Sequence, residues 1–151
     1  MANVFTNRGK YNNVGHRYRG VSLPANLYAA LCTAATAPTA DTNTLSQLTQ
    51  ITTGNGYSDG GITLTPGATD FDTYVEDDTN DYAYVQIKDL VWTASGGNLP
   101  ASGDGASWMV LTGPHATVGS REVDAAFDLT SPRTVSTGQA LTIQNAEVRL
   151  T

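Results

Sequence analysis

Between Tyr82 and Lys88, at the start of the stretch that runs to Thr112, apolar and polar positions alternate. Ala83, Val85 and Ile87 fall on one side of an extended chain, and Tyr82, Tyr84, Gln86 and Lys88 on the other, because strand side chains alternate faces. At Lys88–Asp89 the phase slips by one, and Leu90 and Trp92 take over the buried positions. A β-bulge is expected there. Residues 95–105 hold Gly96, Gly97, Pro100, Gly103 and Gly105, a composition that predicts a long loop turning the chain back. With Trp92 before it and Trp108 after it, this stretch predicts the central hairpin of a β-sandwich core.

The same patterning marks further strands. Val123, Ala125, Phe127 and Leu129 alternate with Glu122, Asp124, Ala126 and Asp128. Residues 23–33 form a largely apolar run in which Cys32 packs as a small hydrophobe. A short strand is expected at 62–65. The last strand, 140–151, slips phase between Leu141 and Ile143 and the set Ala146, Val148 and Leu150, and ties the chain end into a sheet. Thr44 and Gln47 match a capping box ahead of Leu45, Leu48 and Ile51, which predicts two helical turns. Loops are expected at 34–43, 54–61 and the acidic 70–81, with turns at 131–133 and 136–138. About seven or eight short strands separated by turns predict an all-β fold, an antiparallel β-sandwich, jelly-roll-like, with at most one short helix. Residues 1–21 show no sustained period of 2 or 3.6. They predict an extended N-terminal arm, residues 1–22, ahead of a single domain, residues 23–151.

A chain of 151 residues fits one domain and buries about 68–70% of its unfolded surface. Only 15% of it is charged, and Thr, Ser, Gly and Asn stand where helical Lys, Glu, Leu and Ala would, which again favours strands. A single cysteine excludes an internal disulfide, so packing holds the fold. No signal-like apolar stretch opens the chain and no run is long enough to span a bilayer. Folding in a cytoplasm is the expectation, with no membrane partner. The charge is lopsided. Arg8, Lys10, Arg17 and Arg19 are four of the eight basic residues, and no acid precedes Asp41. The other four bases face all 14 acids, so the body carries a net −10. A basic arm on an acidic body signals a partner.

Motifs for chemistry are sparse. His16 lies in the arm and His115 in a Gly-Pro turn, and neither has a second ligand at metal-binding spacing. Glu76, Asp77, Asp78 and Asp81 offer oxygens to a hard cation, but Tyr82 and Lys88 occupy the Gly and bidentate Glu positions of an EF-hand loop counted from Asp77. A solvated acidic turn is the plainer reading. Asp59 breaks a dinucleotide fingerprint in residues 54–61, and there is no nucleophile elbow. Asp70 and Asp72 with the later acids would suit a glycosidase only if the fold brought a pair together. No enzyme activity and no cofactor are expected.

The arm interleaves Phe5, Arg8, Lys10, Tyr11, Arg17, Tyr18 and Arg19. Such residues grip phosphates and stack on bases, but a nucleic-acid module is basic as a whole, and a body at −10 repels DNA. These residues are therefore read as partner-binding toward another protein, with nucleic acid disfavoured.

Residues 24–31 (PANLYAAL), 44–49 (TLSQLT), 54–57 (GNGY), 91–98 (VWTASGGN), 128–135 (DLTSPRTV) and 138–142 (GQALT) together resemble small virion proteins of tailed bacteriophages. The opening FTNRGKY, residues 5–11, is similar to them as well. The likeness spans nearly the whole chain, and none of its motifs is catalytic. It implies a compact β-sandwich with a structural role in the virion, assembled in the bacterial host cytoplasm. The function expected is a capsid decoration (cement) protein, a symmetric oligomer and specifically a homotrimer, bound to the major capsid protein on the outer head lattice through its arm. The alternative is a tail, baseplate or fibre module that contacts host-surface glycans. A carbohydrate-active enzyme comes third.

Overall fold

The structure, a computed structural model, describes residues 3–151. Its strands are β1 (Asn3–Phe5), β2 (Leu27–Cys32), β3 (Ile62–Leu64), β4 (Phe71–Asp77), β5 (Tyr82–Ile87), β6 (Leu90–Thr93), β7 (Ala106–Thr112), β8 (Val123–Arg133), β9 (Ala140–Ile143) and β10 (Ala146–Leu150). One α-helix, α1 (Asn7–Tyr18), lies near the start. All pairings between these strands are antiparallel. The fold is all-β, as the patterning predicts.

Five strands form one sheet in the order β1-β8-β7-β2-β3. A second layer joins β10-β5-β4 to the pair β6-β9. Ile87 pairs with Ala146 and, after a two-residue gap on each strand, Leu90 pairs with Ile143. The two small sheets are thus halves of one ladder, kinked at Lys88–Asp89 and at Gln144–Asn145. The phase slips predicted in both strands meet at this kink. It is a paired break rather than a single extra residue, with Asn145 at φ 55 and Gln144 donating to Asp89 at 2.8 Å.

The layers meet in one core. Leu31, Met109, Leu111 and Phe127 of the five-stranded sheet pack with Ile87, Leu90, Trp92, Leu141 and Ile143 of the ladder. On the other face of the larger sheet Ala30, Cys32, Val110, Val123 and Ala126 meet Leu45 and Leu48. Those leucines come from the predicted capping-box segment, which forms a short 3-10 turn, Leu45–Gln47, rather than two α-turns. Covered on both sides, β7 is buried at nearly every position.

Four local expectations are corrected. Residues 82–112 are not a hairpin: Trp92 pairs with Leu141, whereas Trp108 pairs with Cys32 and Asp128. Alternation reveals which face of a strand is buried but not its neighbour, and β7 is apolar on both faces, so it needs cover on both and sits centrally. The acidic stretch is not all loop, because Phe71–Asp77 forms edge strand β4 with alternate residues exposed; an edge strand tolerates charge on its wet face. The predicted turn at 131–133 lies inside β8, where the register passes from Asp128↔Trp108 to Arg133↔Ala106. The surplus residues bulge outward, with Thr130 at φ 65.

The fourth correction concerns the arm, whose first two residues lie outside the described ones. Beyond them it is not extended. Asn3–Phe5 pairs with β8 and Asn7–Tyr18 is helical. Thr6 caps the helix by accepting the Gly9 amide at 2.9 Å, and its own amide donates to the Asp124 carbonyl at 3.0 Å. Only Tyr11, Val14 and Tyr18 are apolar among the Asn, Gly and basic residues of α1, a sparse stripe interrupted by helix-disfavouring Gly9 and Gly15.

Candidate docking surface on the N-terminal helix

Helix α1 lies on β8 with its chemistry inverted. Gly9 faces the sheet so closely that a Cβ would stand 2.4 Å from the Asp124 carbonyl oxygen, a separation that only glycine permits. One turn on, the Asn12 amide donates to Glu122 Oε2 at 3.0 Å and to Asp124 Oδ1 at 3.2 Å. Arg8 pairs with Glu122 at 3.5 Å. Asn7 adds a bond to Asp41 at 2.9 Å. Polar groups therefore seat the helix, and apolar ones point away. Tyr11 is 69% exposed, Val14 55% and Tyr18 76%. Positions i, i+3 and i+7 form one stripe along a helix. Val21 and Leu23, just past the helix, are exposed too.

Of the residues predicted to bind a partner, Tyr11, Arg17, Tyr18, Arg19 and Lys10 lie exposed on or beside this helix. Arg17 sits 6.0 Å from the Tyr18 ring centroid and Arg8 5.4 Å from that of Tyr11, within cation–π range. Arg19 joins Tyr11, Val14 and Val21 around a cleft of about 500 Å³. Phe5 differs, since it is half-buried against the main core, and Arg8 is engaged by Glu122. Val14, Val21 and Leu23 escaped the sequence reading. The spacing Tyr11–Val14–Tyr18 was the signal that pointed to them.

The seat is electrostatically loaded. Burial pushes the Asp124 carboxyl up to about 6; the Asn12 hydrogen bond and His16 pull it back, and the charge of Glu122 adds to the rise. His16 Nδ1 lies 3.1 Å from the Val21 carbonyl, in the link leaving the helix. Basic His16 and Arg17 occupy the last helical turn, where the helix dipole favours positive charge.

The other groups weighed for chemistry lie elsewhere. Burial pushes the Cys32 thiol up to about 12, far from a thiolate nucleophile at neutral pH. Asp70 is held below the usual carboxylate range by Lys88 and the Thr65 amide, as a brace between β3 and the ladder kink. Asp77 closes the β4–β5 turn by accepting from Asn80 and Thr79. His115 bonds only within its own turn, to Thr117. Among the described residues no three His, Cys, Asp or Glu side chains are grouped to hold a metal ion, and no helix is long and apolar enough to cross a membrane.

Comparison with protein families, with curated proteins and with solved structures gives no significant match.

Proposed function

We propose that the protein is a non-enzymatic structural component of a tailed-phage particle, a decoration protein that assembles by docking the outward face of α1 onto an acidic protein surface. The observation that carries the docking is the inverted helix: an aromatic and aliphatic stripe in water, flanked by Lys10, Arg17 and Arg19. Exposed ion pairs contribute only about 0–1 kcal/mol each, so the cations steer and the stripe anchors. Tyrosine is well suited to that role, with a large apolar face and a polar tip. The virion setting and the major capsid protein as neighbour draw on the resemblance in residues 5–11, 24–31 and 128–135.

Two measurements test this. The protein should be present in stoichiometric ratio to the major capsid protein in purified virions, and absence from virions overturns the setting. Tyr11→Ala with Tyr18→Ala should lower attachment at least as far as charge reversal at Arg17 and Arg19 does. Unchanged attachment overturns the docking. A fibre module that contacts glycans is the second reading, and it draws on the Tyr82–Tyr84 pair with centroids 6.0 Å apart. Low copy number together with binding to host cells would favour it.

A further inference from the structure

The β10-β5-β4 sheet carries a second unpartnered surface. Ile87 and Ala146 lie buried at its inner end, and the same face continues outward in rows set by the register. The next row is Tyr74, Val85 and Val148, and beyond it come Glu76, Ala83 and Leu150. The outer part of this face, the overhang, is open to solvent, although Val148 still packs against the main core. Tyr74 is 86% exposed and Leu150 47%, and a cleft of about 320 Å³ opens there, with Phe5 and Asn13 at its root. At its tip stand Glu76, near the end of β4, and Asp78 and Asp81 of the β4–β5 turn. None of these acids joins an ion pair among the described residues, and neither do Lys10, Arg17 and Arg19.

We infer that the α1 stripe of one copy docks on the β4–β5–β10 overhang of a second copy. This rests on α1 being a docking face and names its partner. The two surfaces match in kind: Tyr11, Val14 and Tyr18 meet an apolar floor that ends at Tyr74 and Leu150, and the flanking cations meet the acidic tip. Charge decides the pairing. Helix against helix sets Lys10, Arg17 and Arg19 against themselves, and overhang against overhang does the same with Glu76, Asp78 and Asp81; such like-charge contacts are disfavoured. Within one chain the surfaces do not meet, because α1 is pinned to β8 by the Thr6 amide and the Asn12 side chain, both donating to Asp124, and presents Asn13, not the stripe, to the overhang. The contact is therefore head-to-tail, each copy keeping one surface of each kind for the next, and such contacts close into rings when the rotation permits.

Sedimentation equilibrium of the full chain tests this. The parent should self-associate, more weakly as salt rises. Arg17→Glu with Arg19→Glu, or Glu76→Lys with Asp78→Lys, should each raise the dissociation constant about tenfold or more, and all four changes in one chain should restore association. These four side chains are exposed, so circular dichroism should show the fold intact in every variant. A monomeric parent, or a fourfold variant that stays dissociated, overturns the inference. If the hairpin variant associates like the parent while the helix variant alone fails to bind particles, the second copy is the wrong partner. The docking role of α1 then stands.

Discussion

Asp124→Asn should make the protein more stable at neutral pH and flatten its pH dependence. In the folded chain burial raises the Asp124 carboxyl from its ordinary 3.8 to about 6. The folded state thus holds that proton more tightly than the unfolded one. This contribution to stability is complete below pH 4, is lost as pH rises from about 4 to 6, and stays lost above. The difference between 3.8 and about 6 corresponds to about 3 kcal/mol at most. The group is only half-buried, and residual solvation brings the expected effect to about 1–2 kcal/mol, or roughly 2–8 °C in melting temperature for a chain of this size. Asparagine keeps an oxygen to accept the Asn12 amide and carries no charge to desolvate. Glu122, His16 and Arg8 also face the seat, so each variant is compared with the parent across the same pH range rather than at one value. Thermal melts from pH 4.5 to 7.5, with hydrogen exchange on the α1 amides, provide the readout. If the variant loses stability between pH 4.5 and 6.5 as steeply as the parent, Asp124 is not the group responsible and the helix seat is misread.

Gly9→Ala should lift α1 from β8, because its Cβ would lie 2.4 Å from the Asp124 carbonyl oxygen and 2.8 Å from its Cα. The expected cost is about 1–3 kcal/mol, seen as faster exchange of the α1 amides, and parent-like exchange would refute the close approach. Phe127→Ala opens a hole in the main core, where the ring is fully buried, and should cost about 3–5 kcal/mol by urea denaturation. A loss under 1 kcal/mol would place the ring elsewhere. Deleting residues 1–22 should lower the melting temperature, since β1 pairs with β8 and Phe5 packs on the core; an unchanged melt would make those contacts dispensable. Cys32 should resist a water-soluble thiol reagent until the protein unfolds, given its full burial, and rapid labelling of the native protein would contradict that.

Alternation of side chains was enough to locate β5, β6, β8 and the paired β9 and β10, because burial of one face acts locally on each strand, and continuous apolar runs located β2 and β7. Pairing was not legible. Nothing in residues 82–112 distinguishes a hairpin from two strands in different layers, since the choice depends on which remote strand covers which face. The capping box at Thr44 was legible because its bonds are local: the Gln47 side chain accepts from the Thr44 amide at 2.9 Å. Its length as a helix was not, because Leu45, Leu48 and Ile51 are held by two different clusters rather than by one helical face.

Helix α1 shows where pattern reading fails for a physical reason. A surface helix normally hides its apolar stripe, whereas α1 carries a sparse one broken by Gly9 and Gly15 and turns it outward. Here the side against β8 is Gly9 and Asn12, with the Asn12 amide donating to the carboxylates of Glu122 and Asp124. Such a seat is costly, as the raised carboxyl of Asp124 shows, and a chain selected for stability alone would turn Tyr11, Val14 and Tyr18 inward instead. Keeping them outward, beside three cations without ion pairs among the described residues, makes sense if a partner covers them. The outward stripe of Tyr11, Val14 and Tyr18 is thus the strongest argument for where the protein binds.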